Sequence, residues 1–114
     1  MRGERHAPWS DVCELITFSS VKDADGYEEL TEVKHQKFCN WEDGVSQSEF
    51  YLSDKAGMRA SAQVELHKID LIETWPSGMG GERFVDFNGV RYRVLRNFPQ
   101  SFDTQTLILT EVIR

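Results

Sequence analysis

Phe84-Val85-Asp86-Phe87-Asn88-Gly89-Val90-Arg91-Tyr92-Arg93-Val94-Leu95 is the stretch on which the fold turns. Two apolar-rich runs flank Asn-Gly, the dipeptide that best suits a two-residue type I′ turn, because both central residues need positive φ. The stretch reads as an antiparallel hairpin. In its second half Val90, Tyr92 and Val94 alternate with Arg91 and Arg93, the pattern of a strand with one dry face and one wet face.

Working upstream, Ala60, Ala62, Val64 and Leu66 alternate with Ser61, Gln63, Glu65 and His67. This is the clearest period-two pattern in the chain, and the reading extends the strand through Ile69 to Glu73. Between it and the hairpin, Trp75-Pro76-Ser77-Gly78-Met79-Gly80-Gly81 is a breaker-rich loop with a flexible Gly tip. Downstream, Asn97 to Thr104 reads as a second loop, and Leu107 to Ile113 as a closing apolar strand.

The first half of the chain carries another strand pair. Val12 to Ser19 is short and rich in Leu, Ile, Thr and Phe, with Ile16 and Phe18 on one face and Leu15 and Thr17 on the other. Lys22-Asp23-Ala24-Asp25-Gly26 is a turn signal. Glu32 to Trp41 follows, with Val33, His35, Cys39 and Trp41 on one side and Phe38 on the other. These runs pair as a hairpin across Asp-Gly. The segment Asn40 to Gly57 differs. Ser46 or Ser48 can cap a short helix through Glu49, Phe50, Tyr51 and Leu52, with Gly57 ending it. So short a helix must lean on the sheet or on a partner.

The expected fold is mainly β: a small closed or partly open antiparallel barrel of about six strands, with one short helix and long loops. A chain of 114 residues fits one domain. Residues 1–11 form a polar, mobile arm and 12–114 the barrel domain. The opening residues lack an apolar stretch and do not read as a secretory signal. No apolar run approaches the length of a membrane span.

Net charge is −6, with 39% apolar and 28% charged residues. The basic footprint of a protein that grips phosphate backbones is missing. Without a secretion signal, Cys13 and Cys39 are expected as reduced, small core residues, with a disulfide or metal pair as the lesser reading.

Constellations that could carry chemistry are weak. Asp23-Ala24-Asp25-Gly26 matches part of a calcium loop but lacks its third acidic ligand and terminal Glu, so a hairpin turn is favoured. Cys13, His35, Cys39 and His67 have no close ligand spacing, and no metal or cofactor is expected. Asp54 and Asp70 near His67 supply raw material for acid–base work, but no motif fixes them, and Gly78-Met79-Gly80-Gly81 lacks the Lys-Ser/Thr of a phosphate loop. No catalytic residue is expected. Arg91, Arg93 and Arg96 near Tyr92 and Phe98 form a basic–aromatic patch. It reads first as a wet strand face able to meet a neighbour's carboxylates, and second as a phosphate site.

From about Val12 to Val112 the chain resembles the head-closure, or head–tail connector, proteins of tailed bacteriophages, most clearly over Phe38 to Glu111. Ser46-Gln47-Ser48-Glu49-Phe50-Tyr51, then Gly57-Met58-Arg59 and the strand Ala60 to Ile69, look like the family's central block. Phe84 to Phe87, Asn88-Gly89, Tyr92-Arg93-Val94-Leu95-Arg96 and Leu107 to Val112 follow in the family's order. Leu15 to Ser19 and Val33 to Asn40 fit its N-terminal strand pair. The loop Thr74 to Glu82 is longer and richer in Gly than in the family.

The resemblance implies a non-enzymatic virion protein, made in the bacterial host cytoplasm. It implies a ring, typically dodecameric, assembled from subunits that can stay single beforehand. The ring would sit beneath the portal and its adaptor, close the DNA-filled head and dock the tail or tail terminator. DNA would pass without tight binding, and no membrane is involved. On this view Ser46 to Met58 and Thr74 to Arg83 are interaction elements. The interface candidates are Ser46, Ser48, Phe50, Tyr51, Met58, Arg59, Trp75, Met79, Arg83, Arg91 and Arg93. The alternative from the residues alone is a small β-barrel that binds a ligand or nucleic acid.

Overall fold

The computed structural model describes residues 9–44, 60–77 and 81–112. Six strands lie among the described residues: β1 (Asp11–Lys22), β2 (Glu28–Asp43), β3 (Ala62–His67), β4 (Phe84–Phe87), β5 (Val90–Pro99) and β6 (Thr104–Glu111). The helix α1 (Lys68–Thr74) follows β3 directly. The strands close into a barrel in the order β1-β2-β3-β6-β5-β4, antiparallel at every junction. The expected barrel is therefore present, and it is closed.

Alternation places the core. On β3, Ala62, Val64 and Leu66 are buried while Gln63, Glu65 and His67 are half-buried. Val64 pairs with Leu107 and Ala62 with Leu109, so β6 sends those leucines to the same side. Leu15, Cys13, Cys39 and Val85 complete the lining from the other half of the barrel. Each buried aliphatic side chain contributes roughly 1.5–3 kcal/mol, which makes this packed interior the main source of cohesion. The barrel holds side chains and not an open lumen.

A tryptophan stands at each end. Trp41 stacks on Phe87 with ring centroids 4.0 Å apart and also meets Tyr92. At the opposite end α1 lies across the barrel and presents Leu71 and Trp75 to the core. The Trp75 indole donates from Nε1 to the Ile16 carbonyl at 3.0 Å.

Both hairpins form as read. Asn88 (φ 50°) and Gly89 (φ 78°) adopt the positive φ values of the type I′ turn. At the β1–β2 turn, the Asp23 carboxylate accepts the amides of Asp25 and Tyr27, each at 2.9 Å, and Gly26 takes φ 86°. That carboxylate closes a turn, as the hairpin reading of this stretch requires.

Three expectations need correction. The strand expected from Ala60 runs only over Ala62–His67 and does not continue to Glu73: Lys68–Thr74 is helical. Leu71 and Trp75, four apart, share its inner face, while Ile69 and Ile72 stay exposed outside. The loop expected at Asn97 to Thr104 is shorter, because β5 runs to Pro99. The first two strands are longer than read, and their hairpin extends past the barrel. The helix expected within Ser46 to Gly57 lies outside the described residues, as does the Gly tip at 78–80.

Candidate interaction surface

The β1–β2 hairpin has a base inside the barrel and an arm beyond it. β4 pairs with β1 only across Glu14–Ile16, and β3 pairs with β2 only across Asn40–Asp43. The β1–β2 ladder itself runs unbroken to Lys22↔Glu28. Among the described residues, the arm therefore has one strand neighbour per strand and bare outer edges. It also exposes large apolar side chains: Tyr27 and Leu30 are each about three-quarters exposed, and Phe18, Val21 and Val33 remain well exposed. The molecule measures 55 × 32 × 27 Å along its principal axes, an elongation expected of a barrel with a projecting arm.

An ion-pair network ties this arm to the barrel wall. Arg91 on β5 grips Asp86 on β4 with Nε–Oδ1 at 2.7 Å and Nη2–Oδ2 at 3.0 Å. The same guanidinium reaches both carboxylate oxygens of Glu32 on the arm. Lys34 adds a 3.4 Å contact to Asp86. Hydrogen bonding to Arg91 holds the Asp86 carboxyl below its usual range, and it does the same for Glu32. The two carboxylates in turn push the Arg91 guanidinium further up. Arg91 is thus a bidentate clamp on an almost buried aspartate, the geometry in which arginine is strongest.

A groove of about 430 Å³ opens between the segment leading into β4 and the middle of β5. Gly81, Glu82 and Arg83 line one side, and Arg93 to Asn97 the other. Arg93 donates to Glu82 at 3.2 Å. The Arg83 guanidinium sits 5.7 Å over the Trp75 ring. A β-bulge shapes the second side: Val94 pairs with Leu109, yet Arg96 pairs with Ile108, leaving Leu95 as the extra residue. The extra residue shifts the alternation, so Arg96 shares the outward face of Arg93.

The structure scatters the arginines that the sequence grouped as a patch. Arg91 is engaged with Asp86 and Glu32 of its own chain. Arg93 and Arg96 line the groove with Arg83. Trp75, expected at an interface, lies in the interior at 5% exposure, so it supports the wall and is no surface anchor. Ser46, Ser48, Phe50, Tyr51, Met58, Arg59 and Met79 lie outside the described residues. Sequence reasoning missed Asp86, Glu32, Tyr27 and Leu30. The last two carry no periodic signal: Tyr27, Leu30 and Val33 follow at steps of three, out of phase with a strand's period of two.

The residues considered for metal or acid–base chemistry stand apart. Cys13 and Cys39 are free thiols, both fully buried in the core. His35 Nε2 is 2.8 Å from the Thr17 hydroxyl. His67 stacks on Trp9 at 3.9 Å, and the Trp9 amide donates to Asn40 Oδ1 at 2.7 Å. Those two contacts anchor the described end of the N-terminal arm. Asp70 faces Lys37 at 3.7 Å, and Asp54 lies outside the described residues. No group of three or more His, Cys, Asp or Glu could hold a metal ion among the described residues. Among them, too, no helix is long and apolar enough to cross a membrane. No family model matches the chain, and no curated protein matches it.

Proposed function

We propose that this chain is a non-catalytic assembly subunit that joins copies of itself in a ring at the head–tail junction of a tailed bacteriophage. In this role it closes the DNA-filled head below the portal and adaptor and offers the surface on which the tail docks. The observation that carries the reading is the β1–β2 arm, whose two strands have bare edges among the described residues, with exposed Tyr27 and Leu30 near its turn. A lone protein gains nothing from such an arm, since open edges and apolar tips invite aggregation. A ring of identical subunits uses both, by strand addition and by contacts that close on themselves. The resemblance of the sequence to head-closure proteins supplies the setting. The net charge of −6 agrees with a passage that DNA crosses without sticking.

Electron microscopy of the purified protein mixed with a portal–adaptor connector tests this. A ring of added density capping the connector is expected. A bare connector, together with tight retention of DNA by the protein at low salt, would refute it.

A further inference from the structure

We propose that the acidic turn of the arm on one copy seats in the arginine groove of the next copy. The inference rests on the ring reading above and names the contact within it. Two surfaces of opposite sign sit on different parts of one chain. Around the turn, Asp23, Asp25, Glu28 and Glu29 stand against the single Lys22, and residues 18–34 are exposed or nearly so. Among the described residues, the groove is lined by Arg83, Arg93 and Arg96 and by Glu82. In a chain of net charge −6, three arginines around one opening are a local exception.

The apolar parts match as well. Tyr27 and Leu30 project beside the acidic residues, and Val94 and Leu95 lie in the groove between the arginines. No arm residue lines the groove in its own chain. A volume of about 430 Å³ admits the side chains of a turn and not a whole domain. A guanidinium presents five donors and can hold two carboxylates at once. Arg91 does this here with Asp86 and Glu32. A groove arginine with a contact in its own chain can therefore still take a partner's carboxylate.

A tip-to-groove contact joins unlike surfaces, so it is heterologous: each copy gives its tip forward and receives a tip from behind. Such contacts propagate until rotation closes them into a ring. The charges also steer the encounter and fix which surface meets which. Exposed pairs of this kind are screened, so the contact weakens with salt.

The test is a charge swap read by sedimentation of the full chain at low salt. One variant reverses the groove (R83E/R96E) and another reverses the tip (E28R/E29R). Each alone should self-associate about tenfold or more weakly than wild type. Their equimolar mixture should recover association, because every tip then faces a groove of opposite sign. Since Arg83 rests on Trp75, R96E alone, at an exposed position, repeats the groove arm without that contact. Circular dichroism checks that each variant keeps its sheet.

Wild type that associates equally well with either reversal would overturn the contact and leave the ring reading standing. Wild type that stays monomeric to about 1 mM would overturn the contact; if the connector also stays bare, the ring reading falls with it. Retention of a single-stranded oligonucleotide by wild type, lost in R96E, would assign the groove to phosphate and overturn the contact too.

Discussion

Trp75 and Ile16, 59 residues apart, are joined by an indole N–H donated to a backbone carbonyl at 3.0 Å. The bond runs from the end of α1 to the last residue of β1 that pairs with β4. It therefore fixes the helical lid to the point where the arm leaves the barrel. Ile16 is nearly fully buried there although it points to the face opposite Leu15.

Replacing Trp75 separates packing from the hydrogen bond. Trp75→Ala should cost about 3–5 kcal/mol, the usual penalty for emptying a large aromatic site. Trp75→Phe should cost less, about 1–3 kcal/mol, mostly for the orphaned carbonyl of Ile16. Urea denaturation gives both values. A Trp75→Phe cost near zero would mean that the bond contributes nothing.

Asp86 should make stability depend on acid. Its native carboxyl is held below the unfolded value of about 3.9. As pH falls, the unfolded chain takes up the proton first. The clamp therefore contributes fully above the unfolded value and is lost as pH drops through the lowered native one. Asp86→Asn should lower stability at neutral pH by on the order of 1–3 kcal/mol, and the gap should narrow in strong acid. Denaturation midpoints of both proteins across pH check the sign.

Glu32 is the arm's half of the Arg91 network and is well exposed. Glu32→Gln should leave barrel stability unchanged and loosen the arm alone. Hydrogen exchange should speed up at amides of residues 17–22 and 28–33, while Val64 and Leu107 keep their protection. Uniform exchange across the chain would contradict this division.

Cys13 and Cys39 are buried, and the hydrogen bond with Cys13, followed by burial, pushes the Cys39 thiol up. The thiolate is the reactive form. Neither cysteine should react with iodoacetamide in the native protein at neutral pH, and both should react in denaturant. Mass spectrometry counts the adducts.

The barrel was legible because one strand, β3, keeps a strict period and one turn is specified outright. Ala62, Val64 and Leu66 show an uninterrupted alternation, and Asn88-Gly89 specifies its turn through backbone sterics alone. The helix Lys68–Thr74 was not legible. Seven residues give too few turns for a helical period, Ile69 and Leu71 mimic a strand, and His67 precedes it without a side-chain cap bond. The groove was half legible. Arg93 and Arg96 look out of phase on a regular strand, and only the bulge at Leu95 brings them to one face beside Arg83. Nothing local signals that bulge. The Arg91 clamp was hidden differently: Glu32 is 59 residues away, and only the closure of β4 onto β1 brings it near.

Because Trp41 and Trp75 stopper the two mouths and leucines fill the space between, the folded chain is a solid peg and not a tube. Any bore through a multi-copy particle must then be enclosed by neighbouring pegs. Its diameter would follow from how many stand in the circle, and no widening of an individual barrel could change it.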